Sequence, residues 1–261
     1  MYQVFNINAT FERIEASISP QMTLNMKNIK TISAAIITAF LSLSVFTSCQ
    51  KDDTILYYST SIGNIIDGKF ISDQGNILNL TNVSVEKEFE GIKRAMINCD
   101  MVQQADDNVK EYDVRLLNWT SVLVKDSITP DQAVAGENSV QDPVIIKDAW
   151  CSGGYLNLKI QFYKPYGSTK SHLVNLVYEG CDNGEYRFNF RHNAFGETYY
   201  LTLNFSGYVS FPITEIIKEE KAKITIGWKS YQIMPDGSII NPVIDRTATL
   251  DYERNSFIQE N

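Results

Sequence analysis

His172 and His192 are the two histidines of this 261-residue chain and the first residues to weigh for metal or acid–base chemistry. A zinc site needs three or four His, Cys or carboxylate ligands at short spacings, and neither histidine has such neighbours. His172 is expected to open a strand, and His192, in Arg191-His192-Asn193, to lie at a strand end. No metal site is expected. No G-x-S-x-G elbow, H-E-x-x-H helix, P-loop or dinucleotide fingerprint occurs, so no cofactor is expected either. The carboxylate pairs Asp52-Asp53, Asp106-Asp107 and Glu219-Glu220 lie in polar stretches. They read as tether, turn and solvated edge rather than as acid–base pairs. The turn Asp106-Asp107-Asn108 offers too few oxygens for calcium. Hydrolysis is the weakest of the functions considered, and the chain is expected not to be an enzyme.

The cysteine with a chemical context is Cys49. Lys27 and Lys30 precede an apolar run from Ile32 to Phe46, and small residues follow, the order of a secretory signal and its cleavage site. Phe46-Thr47-Ser48-Cys49 resembles a lipobox, with Phe46 where an aliphatic residue is usual. Cleavage before Cys49 and acylation of its sulfur with palmitate-type chains would tie the chain to a membrane, since two or more acyl chains anchor stably where one holds marginally. Gln50-Lys51-Asp52-Asp53 resembles the acidic export signal of lipoproteins sent to the outer leaflet of an outer membrane. The other reading is a solvated tether on the periplasmic face. Residues 1–25 fit no signal pattern, so the true start is expected at Met26.

An exported chain meets oxidising conditions, so Cys99, Cys151 and Cys181 permit one disulfide. Cys151–Cys181 is the candidate pair; otherwise the three are small buried hydrophobes. Asp53-Thr54-Ile55 and Asp126-Ser127-Ile128 resemble O-glycosylation acceptors, which makes Thr54 and Ser127 candidate sites. Aromatics are plentiful, at 14 Tyr, 13 Phe and 3 Trp. Tyr155 and Tyr163 fall on the polar face of an alternating strand and, with Tyr166 and Trp119, are candidates for stacking on a sugar ring. Packing within or on a sheet is the competing reading, because strands favour aromatics. The formal net charge of −8 and the lack of any basic run argue against nucleic acid, whose phosphates need clustered Lys and Arg.

These residues must be positioned by strands. Leu156, Leu158, Ile160 and Phe162 alternate with Asn157, Lys159 and Gln161. Tyr186, Phe188 and Phe190, then Leu201, Leu203 and Phe205, then Ile224, Ile226 and Trp228 repeat that period of two, the mark of half-buried strands. Helical periodicity is weak, so the fold class is all-β. The segment 126–142 is polar and carries neither period, and is expected to be a linker. Upstream, 55–125 holds about five short strands, suiting an OB-like five-stranded barrel. Downstream, 143–261 holds seven or eight, the count of an immunoglobulin-like β-sandwich. With 1–48 removed and 49–54 as lipidated tether, the division is complete.

The signal with its cysteine, GNIIDGKFISDQGNILNLTN at 63–82, KRAMINCDM at 93–101, DAWCSGGYLNLKIQFY at 148–163, Arg191-His192-Asn193-Ala194 and Ser206-Gly207-Tyr208-Val209-Ser210-Phe211 form an ordered set. Together they resemble the NigD-like lipoproteins across essentially the whole mature chain. That resemblance implies an N-terminal OB domain followed by a C-terminal β-sandwich, and a suggested role in bacteriocin immunity. It implies no catalytic or ligand-binding residues. The expected function is therefore non-enzymatic binding of a protein, peptide or glycan at the cell envelope. The alternative is a glycan-binding accessory of a polysaccharide-uptake system.

Overall fold

The computed structural model describes residues 57–101, 109–198, 203–235 and 238–254. Its first five strands are β1 (Tyr57–Ile66), β2 (Lys69–Ser72), β3 (Ile77–Leu80), β4 (Arg94–Met101) and β5 (Glu111–Val124). β1 pairs with both β2 and β4, β2 with β3, and β4 with β5, all antiparallel; parallel pairing of β3 with β5 closes the ring. Closure leaves no open edge, the liability of small sheets. A one-turn helix, α1 (Val85–Glu88), delivers Phe89 into the interior beside Phe70, Leu78, Ile97, Tyr112 and Val114.

β5 outruns the barrel. Its last residues, Val122 to Val124, pair parallel with Tyr208–Ser210 of β10 (Leu203–Pro212). One continuous sheet therefore passes from barrel to sandwich, in the order β3-β2-β1-β4-β5-β10-β7-β6, where β6 is Ile145–Ser152 and β7 is Tyr155–Lys164. The facing sheet is β12-β11-β9-β8, from β8 (Leu173–Asp182), β9 (Glu185–Asn193), β11 (Lys221–Ile233) and β12 (Ile239–Glu253). Because β10 lies in the opposite sheet, β9 and β11 run parallel. The protein is thus an all-β chain of a closed five-stranded barrel followed by a β-sandwich.

The core follows the alternation read in the sequence. Leu156, Leu158, Ile160 and Phe162 of β7 face Phe188 and Phe190 of β9 and Ile224 and Ile226 of β11 in one buried cluster. Residues 126–142 differ from expectation: the segment lies bound along β8 and β9 rather than free. Ile128 bridges Val177, and a capping box at Thr129 and Gln132 starts α2 (Pro130–Ala133). Arg191 donates to the Ala133 carbonyl at 2.6 Å, and Asn175 to Asn138 at 2.9 Å. A polar stretch without period is held here by side chains, a kind of pairing that hydrophobic patterning cannot report.

Candidate functional site

Buried polar chemistry concentrates at the two ends of the sandwich. At the end facing the barrel, Arg94 opens β4 with its side chain fully buried. A guanidinium has five N–H donors, and each finds an acceptor. Nε donates to Ser210 Oγ at 2.9 Å; one terminal nitrogen donates to Asn64 Oδ1 at 2.9 Å and Asp73 Oδ1 at 2.8 Å. The other donates to Asp73 Oδ2 at 2.7 Å and Asn157 Oδ1 at 3.0 Å. Asn64 and Asp73 belong to the barrel, Asn157 and Ser210 to the sandwich. The Ser152 hydroxyl donates to Asp73 Oδ2 and accepts from Trp150 Nε1 and Asn157 Nδ2. Gly153, at φ +57°, makes room: a Cβ there would collide with the Asp73 carboxylate. Such bidentate pairs are the strong, geometrically selective kind.

β7 runs from this junction, where Tyr155 pairs with Ser152 and Pro212, to Lys164, paired with Leu203. Ten residues of strand place the far end roughly 30 Å away. Residues 165–172, 194–198 and 234–235 gather there, exposing Tyr166 (86%), Phe195 and Met234. Beneath them His172 and His192 are buried against Phe162, with ring centroids 4.6 and 5.6 Å away. His172 Nδ1 and His192 Nε2 lie 2.8 Å apart, and His192 Nδ1 is 3.2 Å from the Pro143 carbonyl. His172 Nε2 faces Glu197 Oε2 at 3.4 Å, and the Ser168 hydroxyl donates to the other Glu197 oxygen. Tyr231 ties in by donating to the Thr198 carbonyl at 2.7 Å.

The protons of this chain can be assigned. A carbonyl only accepts, so His192 Nδ1 carries the hydrogen and its Nε2 is the acceptor for His172 Nδ1–H. His172 Nε2 then has no proton to give Glu197, which accounts for that contact being the longest. Burial pushes both imidazoles below the ordinary histidine value, His192 down to about 3 with help from the neighbouring His172. A nucleophilic triad would set the histidine on the hydroxyl. Here the hydroxyl sits on the carboxylate instead, so Ser168 has no base.

A model of the NigD-like C-terminal beta sandwich domain matches residues 127–235, which span both histidines and the sandwich half of the junction. The segment 127–235 belongs to the NigD-like C-terminal beta sandwich family. No curated protein matches the sequence. Among solved structures, this chain is similar to a candidate lipoprotein of Bacteroides fragilis NCTC 9343, with 14% identity, a TM-score of 0.55, and 76% of this chain and 99% of that one covered. A protein of unknown function from Bacteroides vulgatus ATCC 8482 aligns at 19% identity and TM-score 0.51, over 77% and 93%. A candidate toxin-related protein from Parabacteroides distasonis ATCC 8503 aligns at 18% and 0.50, over 76% and 94%. At these identities the likeness is one of fold. Among the described residues no helix is long and apolar enough to cross a membrane.

The residues singled out in the sequence are scattered over the fold. Cys49, Gln50, Lys51, Asp52, Asp53 and Thr54 lie outside the described residues. Ser127 is half-buried in the bound segment. Cys151 and Cys181 do not form a disulfide: Cys151 packs against the sandwich core while Cys181 is exposed, and both thiols are free, as is Cys99. Tyr163 is 4% exposed, packed with Ile145 and edge-on to Tyr231 at 5.2 Å, so it has no face for a sugar. Tyr155 lies under the Arg94 guanidinium at 4.1 Å. Trp119 packs on Phe89 at 4.8 Å and donates to Glu88. Tyr166 alone of the four presents an open ring. Arg94, Asp73 and Glu197 carried no signal that composition or motif could expose.

Proposed function

We propose that this NigD-like protein is a non-enzymatic, lipid-anchored envelope protein that binds a protein or peptide partner through the sandwich end remote from the barrel. One observation carries the reading: the barrel is locked by Arg94 onto one end of the sandwich, leaving the other end's loops free with Tyr166, Phe195 and Met234 at the surface. Loops on a rigid β-scaffold are where binding residues collect, and aromatics with Met are enriched in interface cores. The signal before Cys49 supports attachment through an acyl anchor to the outer membrane, with Lys51-Asp52-Asp53 favouring the cell surface. The name of the fragilis structure is in keeping with that anchor. Bacteriocin immunity is the sharpest form of this reading and rests on the family resemblance.

The test is a pull-down from surface-labelled cells with the wild-type protein and a Tyr166→Ala, Met234→Ala variant. A captured partner lost on both changes supports the loop end as the binding face. Equal capture by the variant places binding elsewhere. Micromolar binding on a glycan array, weakened by Tyr166→Ala, would replace the protein partner with a sugar.

A further inference from the structure

The loop end of the sandwich holds a buried group whose charge state the geometry constrains. The two imidazoles sit where β8 begins and β9 ends, hydrogen-bonded to Pro143 and packed beneath two loops, one before β8 and one after β9, which Ser168 and Glu197 tie to each other. Pro143 and the His192–His172 contact consume both ring hydrogens of the neutral pair. His192 cannot take another, because a second N–H would point at the N–H of His172. A further proton has one destination, His172 Nε2.

That destination is unfavourable while the loops are in place. The His172 side chain is 2% exposed, lies on the Phe162 ring and touches an imidazole where water would otherwise be. The groups facing it come from every neighbouring element. Glu197, from the loop after β9, favours a cation, but at 3.4 Å and already accepting from Ser168 it offsets only part of the loss of water. Asp142, from the bound segment, adds a weaker pull, and Lys164 at the end of β7 opposes it. Tyr163 of β7 and Tyr231 of β11 are phenols that stay neutral. Burial prevails, so a loop state that exposes His172 takes the proton more readily than the closed one.

We propose that the loop end is a proton-operated latch, closed while the histidine pair is neutral and released when His172 gains a second proton in mildly acidic surroundings. The latch would act on the same face proposed above for partner binding, but its test needs no partner. Amide hydrogen exchange over 165–172 and 194–198 is followed on the purified mature protein at pH 7.5, 6.5 and 5.5, corrected for intrinsic rates. An exposed histidine titrates near 6.5 and the buried one below it, so opening should increase by up to about tenfold by pH 5.5, with the β7 core unchanged. His172→Asn keeps an N–H in place of Nδ1–H and removes the titration; its loops should exchange at a pH-independent rate. A parallel 15N titration of the histidine rings should show His172 unprotonated at Nε2 at pH 7.5 while the loops are protected. Loop protection that is flat with pH in the wild type, an equal loss in His172→Asn, or a His172 that charges above pH 6.5 with the loops still protected would each overturn the latch.

Discussion

Replacing Arg94 by alanine should separate the barrel from the sandwich energetically, and the size of the effect follows from the contacts. The change removes five hydrogen bonds, two of them to the Asp73 carboxylate. It leaves Asp73, buried at the junction, with the Ser152 hydroxyl as its remaining side-chain donor. Breaking a buried pair by deleting one partner costs about 3–5 kcal/mol, because the other charge stays out of water without compensation. With a urea slope of about 2 kcal/mol per molar for a unit of this size, the midpoint should fall by about 2 M. Trp150, whose indole donates to Ser152 at the junction, is a fluorescence reporter of that region. The wild type should unfold in one transition and the variant in two, as the coupling through the junction is lost. Arg94→Lys should recover little, since an ammonium has three donors and cannot fork. Asp73→Asn in the Arg94→Ala background should cost little more, giving a coupling energy of about 2 kcal/mol or greater. A midpoint shift under about 0.5 M, or strictly additive effects of the two changes, would refute the coupling at the junction.

Two further outcomes follow. His192 has its folded-state value depressed to about 3, so the stability it contributes is full above the unfolded value near 6.5 and is lost as the pH falls. Urea unfolding at pH 7 and pH 5 should differ by about 2 kcal/mol for this histidine, and a His192→Asn variant should show a smaller difference. Cys181 is exposed, whereas burial pushes the thiols of Cys99 and Cys151 up to about 11 and about 12. Reactivity follows the thiolate, so a maleimide should add once, at Cys181, to the native chain from Tyr57 onward. Rapid addition at Cys151, read by peptide mass, would contradict its place against the core.

Much of the scaffold was legible because it depends on one property, the alternation of apolar and polar residues, which β7, β9 and β11 follow closely. The same rule misplaced Tyr163. It assigns the second face of a strand to solvent, but at this end of β7 that face is covered by Ile145 and Tyr231. Alternation describes one strand and its near face; what covers the far face depends on pairing at long range. The linker reading failed for a related reason. Residues 126–142 have no apolar period to reveal because Arg191, Asn175 and Asn193 bind them through carbonyls and amides.

The polar clusters differ in how far they were hidden. Asp73 stands in the turn after β2 and Arg94 at the head of β4, with nothing in either local sequence to join them. The pairing of β1 with both β2 and β4 does that, setting Ser72 opposite Gly63 and Arg94 opposite Asn64. The histidines were nearer to view. The turn at Asp182-Asn183-Gly184 sets the register of the β8–β9 hairpin, and the irregularity at Tyr178/Gly180 shifts it by one residue. In either register the two histidines fall within a few positions of one another across the hairpin. A hairpin read as a register rather than as two strands would have brought them together. It would not have found Glu197, which reaches His172 from the loop beyond β9, where sequence spacing carries no geometric rule. The chemistry of this fold thus lies where its strands stop: at one end a charge pair joins two modules, and at the other a buried neutral pair lies beneath loops tied by Ser168 and Glu197.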